Sequence, residues 1–197
     1  LYPMKTLAVD QLNRFISYLY QINRTRNADN QITIGIWDGD TPTDVGSYTR
    51  EIESGSYIRG LEDPVSGEKL TINEEGIVTG SRREYPWLKA TRERVKEGAD
   101  ILLTTPEALD HMLINDSACT RQVLGDSDNA HPVEHLIFDE AHVWSGVSGA
   151  SIKLLIKRLK HFYRDYEPQV SLVSATVSNP EELAGSLTGS DAHQITT

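Results

Sequence analysis

Apolar positions recur along this chain with two periods, and the switches between them mark out its elements. Ala8, Leu12, Phe15, Ile16, Leu19 and Ile22 fall at steps of three and four, which predicts a helix over 4–22 entered through Pro3. Period two follows. In Gln31-Ile32-Thr33-Ile34-Gly35-Ile36-Trp37 the isoleucines share one side, as in a strand. Asp38-Gly39-Asp40-Thr41-Pro42 then reads as a turn that caps a short helix. Regular patterning lapses over 53–86, which Gly55, Gly60, Pro64, Gly67, Gly76, Gly80 and Pro86 punctuate. A hairpin of 69–72 against 77–79 is expected there.

Beyond that stretch the spacing predicts a helix over 87–97, a buried strand over 100–104 and a helix over 106–114. Residues 115–133 are polar and loop-like. His135-Leu136-Ile137-Phe138-Asp139 is a near-continuous apolar run ending in an acid, the signature of a strand in a parallel sheet. A helix over 148–163 follows, with Ile152, Leu155, Ile156, Leu159, Phe162 and Tyr163 on its buried stripe. A strand over 170–174 and a helix opened by Asn179-Pro180-Glu181-Glu182 close the pattern. Strands alternating with helices predict an α/β fold: a parallel sheet with helices on both faces.

Composition narrows the function classes. The chain has 197 residues, 38% hydrophobic and 24% charged, the make-up of a globular domain. One cysteine, Cys119, excludes an internal disulfide and a cysteine-cluster zinc site. The six histidines show no metal-ligand spacing, so no zinc is expected within these residues. No apolar run reaches the roughly 20 residues of a membrane span, and no signal-peptide pattern opens the chain. With 19 basic and 29 acidic residues the net charge is −10. A polyanion partner would therefore be held by local patches and backbone amides, not by a global field.

Four segments carry candidate chemistry. In Leu136-Ile137-Phe138-Asp139-Glu140-Ala141-His142 an apolar strand delivers two acids at its carboxyl end, where ligands bind in open α/β sheets. One carboxylate suits Mg²⁺ held against phosphates, usually through water; the second suits the orientation or deprotonation of an attacking water. A plain solvated strand end carries the same letters. Val170-Ser171-Leu172-Val173-Ser174-Ala175-Thr176 ends in hydroxyls that could bond His142 from a neighbouring strand, or that simply form a strand-to-helix turn. Thr104-Thr105-Pro106-Glu107 and Tyr2-Pro3-Met4-Lys5 each open a helix, where free N–H groups favour phosphate. Either one alone is equally a helix cap.

Taken together and in this order, the four segments resemble the first RecA-like domain of superfamily 2 helicases. Residues 2–11 are similar to motif Ia, Thr104-Thr105-Pro106-Glu107-Ala108-Leu109 to motif Ib, Asp139-Glu140-Ala141-His142 to the Walker B box, and Ser174-Ala175-Thr176 to motif III. Asp38-Gly39-Asp40-Thr41-Pro42, the run Asp139 to Ala150, and Ser174 to Ala184 resemble the MrfA-like and DrmA-like branch of the DEAH-box helicases. The resemblance implies that 1–197 is a partial RecA-like ATP-binding domain with 53–98 as an insertion, in a cytoplasmic protein, nucleoid-associated if prokaryotic. It implies ATP and Mg²⁺ as cofactors and a nucleic-acid partner, DNA rather than RNA. Asp139 would help hold Mg²⁺. Glu140 would be the base for water attack on the γ-phosphate, and His142 would couple the nucleotide to Ser174 and Thr176. Lys5, Thr6, Asp40, Thr41 and Thr105 would line the nucleic-acid track, touching backbone in keeping with sequence-independent movement.

One family element is missing. No G-x-x-x-x-G-K-[ST] loop occurs; Gly55 and Gly60 have its glycine spacing, but Leu61 and Glu62 follow. The resemblance places that loop, and the second RecA-like domain with its arginine finger, outside 1–197. It implies an ATP-hydrolysing parent and a fragment inactive by itself. Two rival readings stay open: a binding or interaction module with a vestigial motor, and another class of P-loop ATPase. The basic face of Lys153, Lys157, Lys160, His161 and Arg164 reads as a solvated outer face in preference to a phosphate-facing patch. Arg82-Arg83 beside Tyr85 and Trp87 reads either as a nucleic-acid contact or as a loop packing its aromatics inward.

Overall fold

The computed structural model describes residues 1–3, 5–53, 60–115, 117–125, 132–164, 166–175 and 177–195. They form two compact units, Met4–Thr105 and Leu1–Pro3 with Pro106–Thr197.

The first unit begins with α1 (Lys5–Asn23). Its inner stripe is Leu12, Ile16 and Leu19, whereas Ile22 is exposed. Asn23 is buried in its place, because its carboxamide bonds both backbone groups of Ile32, at 2.9 Å each. Strand β1 (Ile34–Trp37) is shorter than the alternation suggests and buried at every position. Helix α2 (Val45–Glu53) follows, and Asp44, not the 38–42 cluster, caps it: the Ser47 N–H donates to Asp44 Oδ1 at 2.6 Å.

The expected hairpin is present as β2 (Thr71–Ile72) against β3 (Val78–Thr79), and β4 (Glu84–Tyr85) extends it to a three-stranded antiparallel sheet. Leu61, Leu70, Val78, Tyr85 and Trp87 are buried. Tyr85 packs edge-on between Tyr20 of α1 and Trp87, so both aromatics beside Arg82-Arg83 point inward and cannot stack on bases. The helix expected over 87–97 is corrected. Leu88–Lys89 is β5, parallel to β1, and only Arg92–Val95 is helical, as α3. The apolar spacing of Leu88, Ala90 and Val95 served a strand, a turn and a short helix in succession. Strand β6 (Ile101–Thr104) completes a parallel sheet of order β5-β1-β6. Gly35 sits at its centre because α3 crosses closely there: a Cβ would lie 3.0 Å from Val95 Cγ2.

The second unit holds α4 (Pro106–Asn115), α5 (Ala118–Leu124), β7 (His135–Phe138), α6 (Gly146–Tyr163), β8 (Gln169–Leu172) and α7 (Pro180–Thr188). Helix α5 stands where the sequence reads as loop. Its polar residues conceal a capping box in which Ser117 and Thr120 satisfy each other's backbone N–H. Strands β7 and β8 run parallel, paired from His135↔Gln169 to Phe138↔Leu172. The backbone of Leu1 lies along β7 as well: the Asp139 N–H donates to its carbonyl at 3.0 Å. Leu136 and Phe138 face the core with Ile152, Leu155, Ile156, Leu159 and Tyr163 of α6, as the stripe predicts. The whole is an α/β fold in which parallel strands and one antiparallel sheet are flanked by helices.

Candidate functional site

The pairing of β7 with β8 fixes what happens at their carboxyl ends. Past Phe138 and Leu172 the ladder continues for two bonds: Val173 N–H donates to Phe138 O, and Ala141 N–H to Val173 O, each at 2.8 Å. Between these bonds the chain bends at Glu140, which takes the left-handed conformation (φ 52°, ψ 46°). For a residue with a Cβ this costs about 1–2 kcal/mol. The cost is retained at the point where two acids stand side by side. The Glu140 N–H donates to Asp139 Oδ1 at 2.9 Å, which turns that carboxylate back along the loop.

His142 follows in a single turn of 3-10 helix, Ala141–Val143. Its Nδ1 lies 3.2 Å from Ser174 Oγ and 3.3 Å from Glu140 Oε2. A protonated Nδ1 donates to the Glu140 carboxylate; an unprotonated Nδ1 accepts the Ser174 hydroxyl proton. The imidazole can therefore exchange partners between an acid on one strand end and a hydroxyl on the next. Asp139, Glu140 and Ser174 are half-buried and His142 is exposed, so a ligand has access to all four. Open hollows adjoin them. One of about 450 Å³ is lined by His142, Asn179 and Glu182; a larger one of about 800 Å³ is lined by Ala141, Ser174 and Glu181.

Trp144 supports this loop and was not assigned a role from the sequence. It is buried, its indole N–H reaches the Asp139 carbonyl at 3.4 Å, and its own carbonyl lies where α6 begins. Gly149 allows that approach, since a Cβ there would sit 2.8 Å from Trp144 O. The only sequence signal was a large aromatic two residues beyond a polar motif, with a glycine five further on.

The donor set fits a magnesium ion held largely by others. Asp139 and Glu140 offer hard carboxylate oxygens, the class Mg²⁺ prefers. No cluster of three or more His, Cys, Asp or Glu ligands exists among the described residues.

The nucleic-acid candidates lie elsewhere. Lys5 and Thr6 stand in the first turn of α1. Asp40 is exposed at the tip of the turn after β1, while Thr41 is buried, its Oγ1 accepting from Asp38 N–H at 2.9 Å. Thr105 is buried just before α4, and Thr104 Oγ1 donates to Trp37 O at 2.6 Å. Thr176 falls outside the described residues.

A family model of the DEAD/DEAH box helicases matches residues 67–183. The chain belongs to the DEAD/DEAH box helicase family. Within that family it is similar to the uncharacterized ATP-dependent helicase YprA of Bacillus subtilis (strain 168), 29% identical over 102 residues, covering 51% of this chain and 13% of that protein. It is similar as well to the uncharacterized ATP-dependent helicase MJ1574 of Methanocaldococcus jannaschii, 29% identical over 97 residues, covering 48% of this chain and 13% of that one. The chain thus corresponds to a small part of these helicases. Its fold is shared with the crystal structure of the DUF1998 helicase MrfA bound to DNA and AMPPNP: TM-score 0.57 and 20% identity, over 100% of this chain and 20% of that one. The structure of MrfA bound to DNA gives a TM-score of 0.53 at 23% identity, over 97% of this chain and 19% of that one. The RecA-like, superfamily 2 helicase assignment made from the motifs agrees with these matches. No helix among the described residues is long and apolar enough to cross a membrane.

Proposed function

We propose that this chain is the Walker B half of the first motor domain of an ATP-dependent DNA helicase or translocase. The observation that carries the reading is the cluster at the β7–β8 end, where His142 Nδ1 stands 3.2 Å from Ser174 Oγ and 3.3 Å from Glu140 Oε2, one residue beyond Asp139. Asp139 would hold Mg²⁺. The ion, when bound, neutralises phosphate charge and polarises the phosphoryl group. Glu140 accepts the proton of the attacking water. His142 links Glu140 to motif III through Ser174, with Thr176 as a second hydroxyl in that motif. The phosphate loop and the arginine finger come from outside these residues, so the isolated chain hydrolyses no ATP.

The nucleic-acid track in this reading is built by Lys5, Thr6, Asp40, Thr41 and Thr105, with 53–98 an insertion on the motor. Thr41 and Thr105 contribute as shapers of backbone, since both side chains are buried. DNA is the partner, a reading supported by the MrfA structures with bound DNA. The protein works inside the cell. The test is ATP hydrolysis by the full-length protein with single-stranded DNA, duplex DNA and RNA. Stimulation by DNA above RNA is expected. Turnover in none of them supports instead a binding module with a vestigial motor.

A further inference from the structure

The turn after β1 is pinned by a residue with no assigned role. Arg92 opens α3, and its N–H donates to Pro42 O at 2.8 Å, while the next N–H, of Glu93, donates to Thr43 O at 3.1 Å. Its side chain then reaches back along the turn. Nη2 donates to Asp38 O at 3.1 Å, and the guanidinium carbon lies 5.3 Å from the centre of the Trp37 ring. Nε is buried and meets no acceptor among the described residues. Leaving a buried donor unmet costs about 1–3 kcal/mol. A planar cation tolerates this when stacking on the indole and the Nη2 bond fix its plane.

The rest of the turn is equally tied. Asp38 and Thr41 are buried, and Asp38 Oδ1 accepts from Asp40 N–H at 2.7 Å. Trp37 O in turn accepts from Thr104 Oγ1 at 2.6 Å, so the residue under the guanidinium is locked to β6. Gly39 and Asp40 are exposed at the tip.

We propose that Arg92 is a positioning residue for nucleic-acid binding: held between the Trp37 ring and the Asp38 carbonyl, it fixes the Gly39–Asp40 tip in the conformation that meets the DNA backbone. The proposal rests on the helicase reading above. It assigns Arg92 no phosphate of its own. Lysine cannot replace it, because an ammonium has no plane to stack while it donates to the carbonyl.

The test uses the full-length protein and fluorescence anisotropy with a labelled single-stranded DNA across a salt series. Arg92→Lys is expected to weaken binding about tenfold, as misplacement of a contact surface does. The slope of log K against log salt should be unchanged, and the thermal midpoint close to wild type. A slope reduced by about 1 would mean a lost phosphate contact and overturns the positioning role. Binding by Arg92→Lys equal to wild type overturns it too. If Arg92→Lys does not fold, the other side of the clamp serves. Trp37→Phe keeps an aromatic face and should bind within about twofold of wild type, and Trp37→Leu about tenfold more weakly. Equal binding by both refutes the proposal. Wild-type protein that binds no DNA at all refutes the helicase reading instead, a result these variants cannot imitate.

Discussion

The two strand ends to which the proposed function assigns chemistry are built in opposite ways. At the end of β7 and β8 the polar side chains are accessible and bond one another: Glu140 to His142, His142 to Ser174. At the end of β1 the polar side chains are buried and bond the backbone that carries them: Thr41 to Asp38 N–H, Asp38 to Asp40 N–H. The first end offers groups that can take a proton or face a metal. The second offers a shape. A site that hydrolyses must expose its acids, whereas a track that grips any sequence needs a backbone held still. The left-handed Glu140 belongs to the first kind, and the stacked Arg92 to the second.

This contrast breaks most visibly at Glu140. Glu140→Gln keeps the size of the side chain and removes only the carboxylate proposed as the base. In the full-length protein, DNA-stimulated ATP hydrolysis should fall about 10²–10⁴-fold, the usual worth of a positioned base. DNA affinity, which the proposal assigns to the other strand end, should stay within about twofold of wild type. Steady-state turnover and anisotropy read the two. A fall in both together would mean that the strand ends are not functionally separate, and unchanged turnover removes Glu140 as the base.

A smaller effect, of the opposite kind, is expected at the turn after β1. Thr41→Val keeps the volume and deletes the hydroxyl, which leaves the Asp38 N–H without its acceptor inside a buried turn. The loss should be about 1–3 kcal/mol of unfolding free energy, read by urea denaturation. Asp40→Ala, at the exposed tip one residue earlier, should change stability by no more than about 0.5 kcal/mol. If Thr41→Val is neutral while Asp40→Ala destabilises, the buried and exposed roles are reversed, and the turn presents side chains after all.

How much of this the sequence made legible follows the same division. The β7–β8 end could be read because its residues are contiguous and of the right chemical types: Asp139, Glu140 and His142 in one run, Ser174 at the end of the next apolar strand. The 3.2 Å approach of His142 to Ser174 follows from parallel pairing in register, which the alternation of strands and helices already implied. The β1 end was legible only as a turn. Which of Asp38, Asp40 and Thr41 faces inward depends on backbone bonds, and Arg92 lies 54 residues from Asp38 in the chain, beyond any local pattern. The helix expected over 87–97 failed for a related reason. Lys89 and Ala90 are buried by pairing with β1 and by tertiary packing, neither of which a helical periodicity can register. Helix α5 was hidden by its polar surface, and its signal was the Ser117–Thr120 box, not its hydrophobicity.

The smallest effect separates the accessible rim from the core that supports it. Tyr163 is fully buried at the end of α6; its hydroxyl donates to Leu124 O at 2.6 Å and accepts from Val133 N–H at 3.2 Å. Burial pushes the phenol up from 10.0 to about 12. Tyr85, in the other unit, is raised as well, by burial and by its bond to Asp63. A phenol whose folded pKa is raised contributes stability that is complete below the unfolded value. That contribution is lost as pH climbs through the folded one, because the unfolded chain ionises first. Stability should therefore decline between about pH 10 and 12, by about 1 kcal/mol per such tyrosine at about pH 11. Tyr163→Phe lowers stability at neutral pH by leaving Leu124 O and Val133 N–H unpaired, yet it should flatten the alkaline decline, since it has nothing to ionise. Urea midpoints measured at about pH 8 and about pH 11 distinguish the two effects. An alkaline slope as steep in Tyr163→Phe as in wild type would mean that the phenol ionises freely in the folded protein, and that the core beneath the β7–β8 rim admits water.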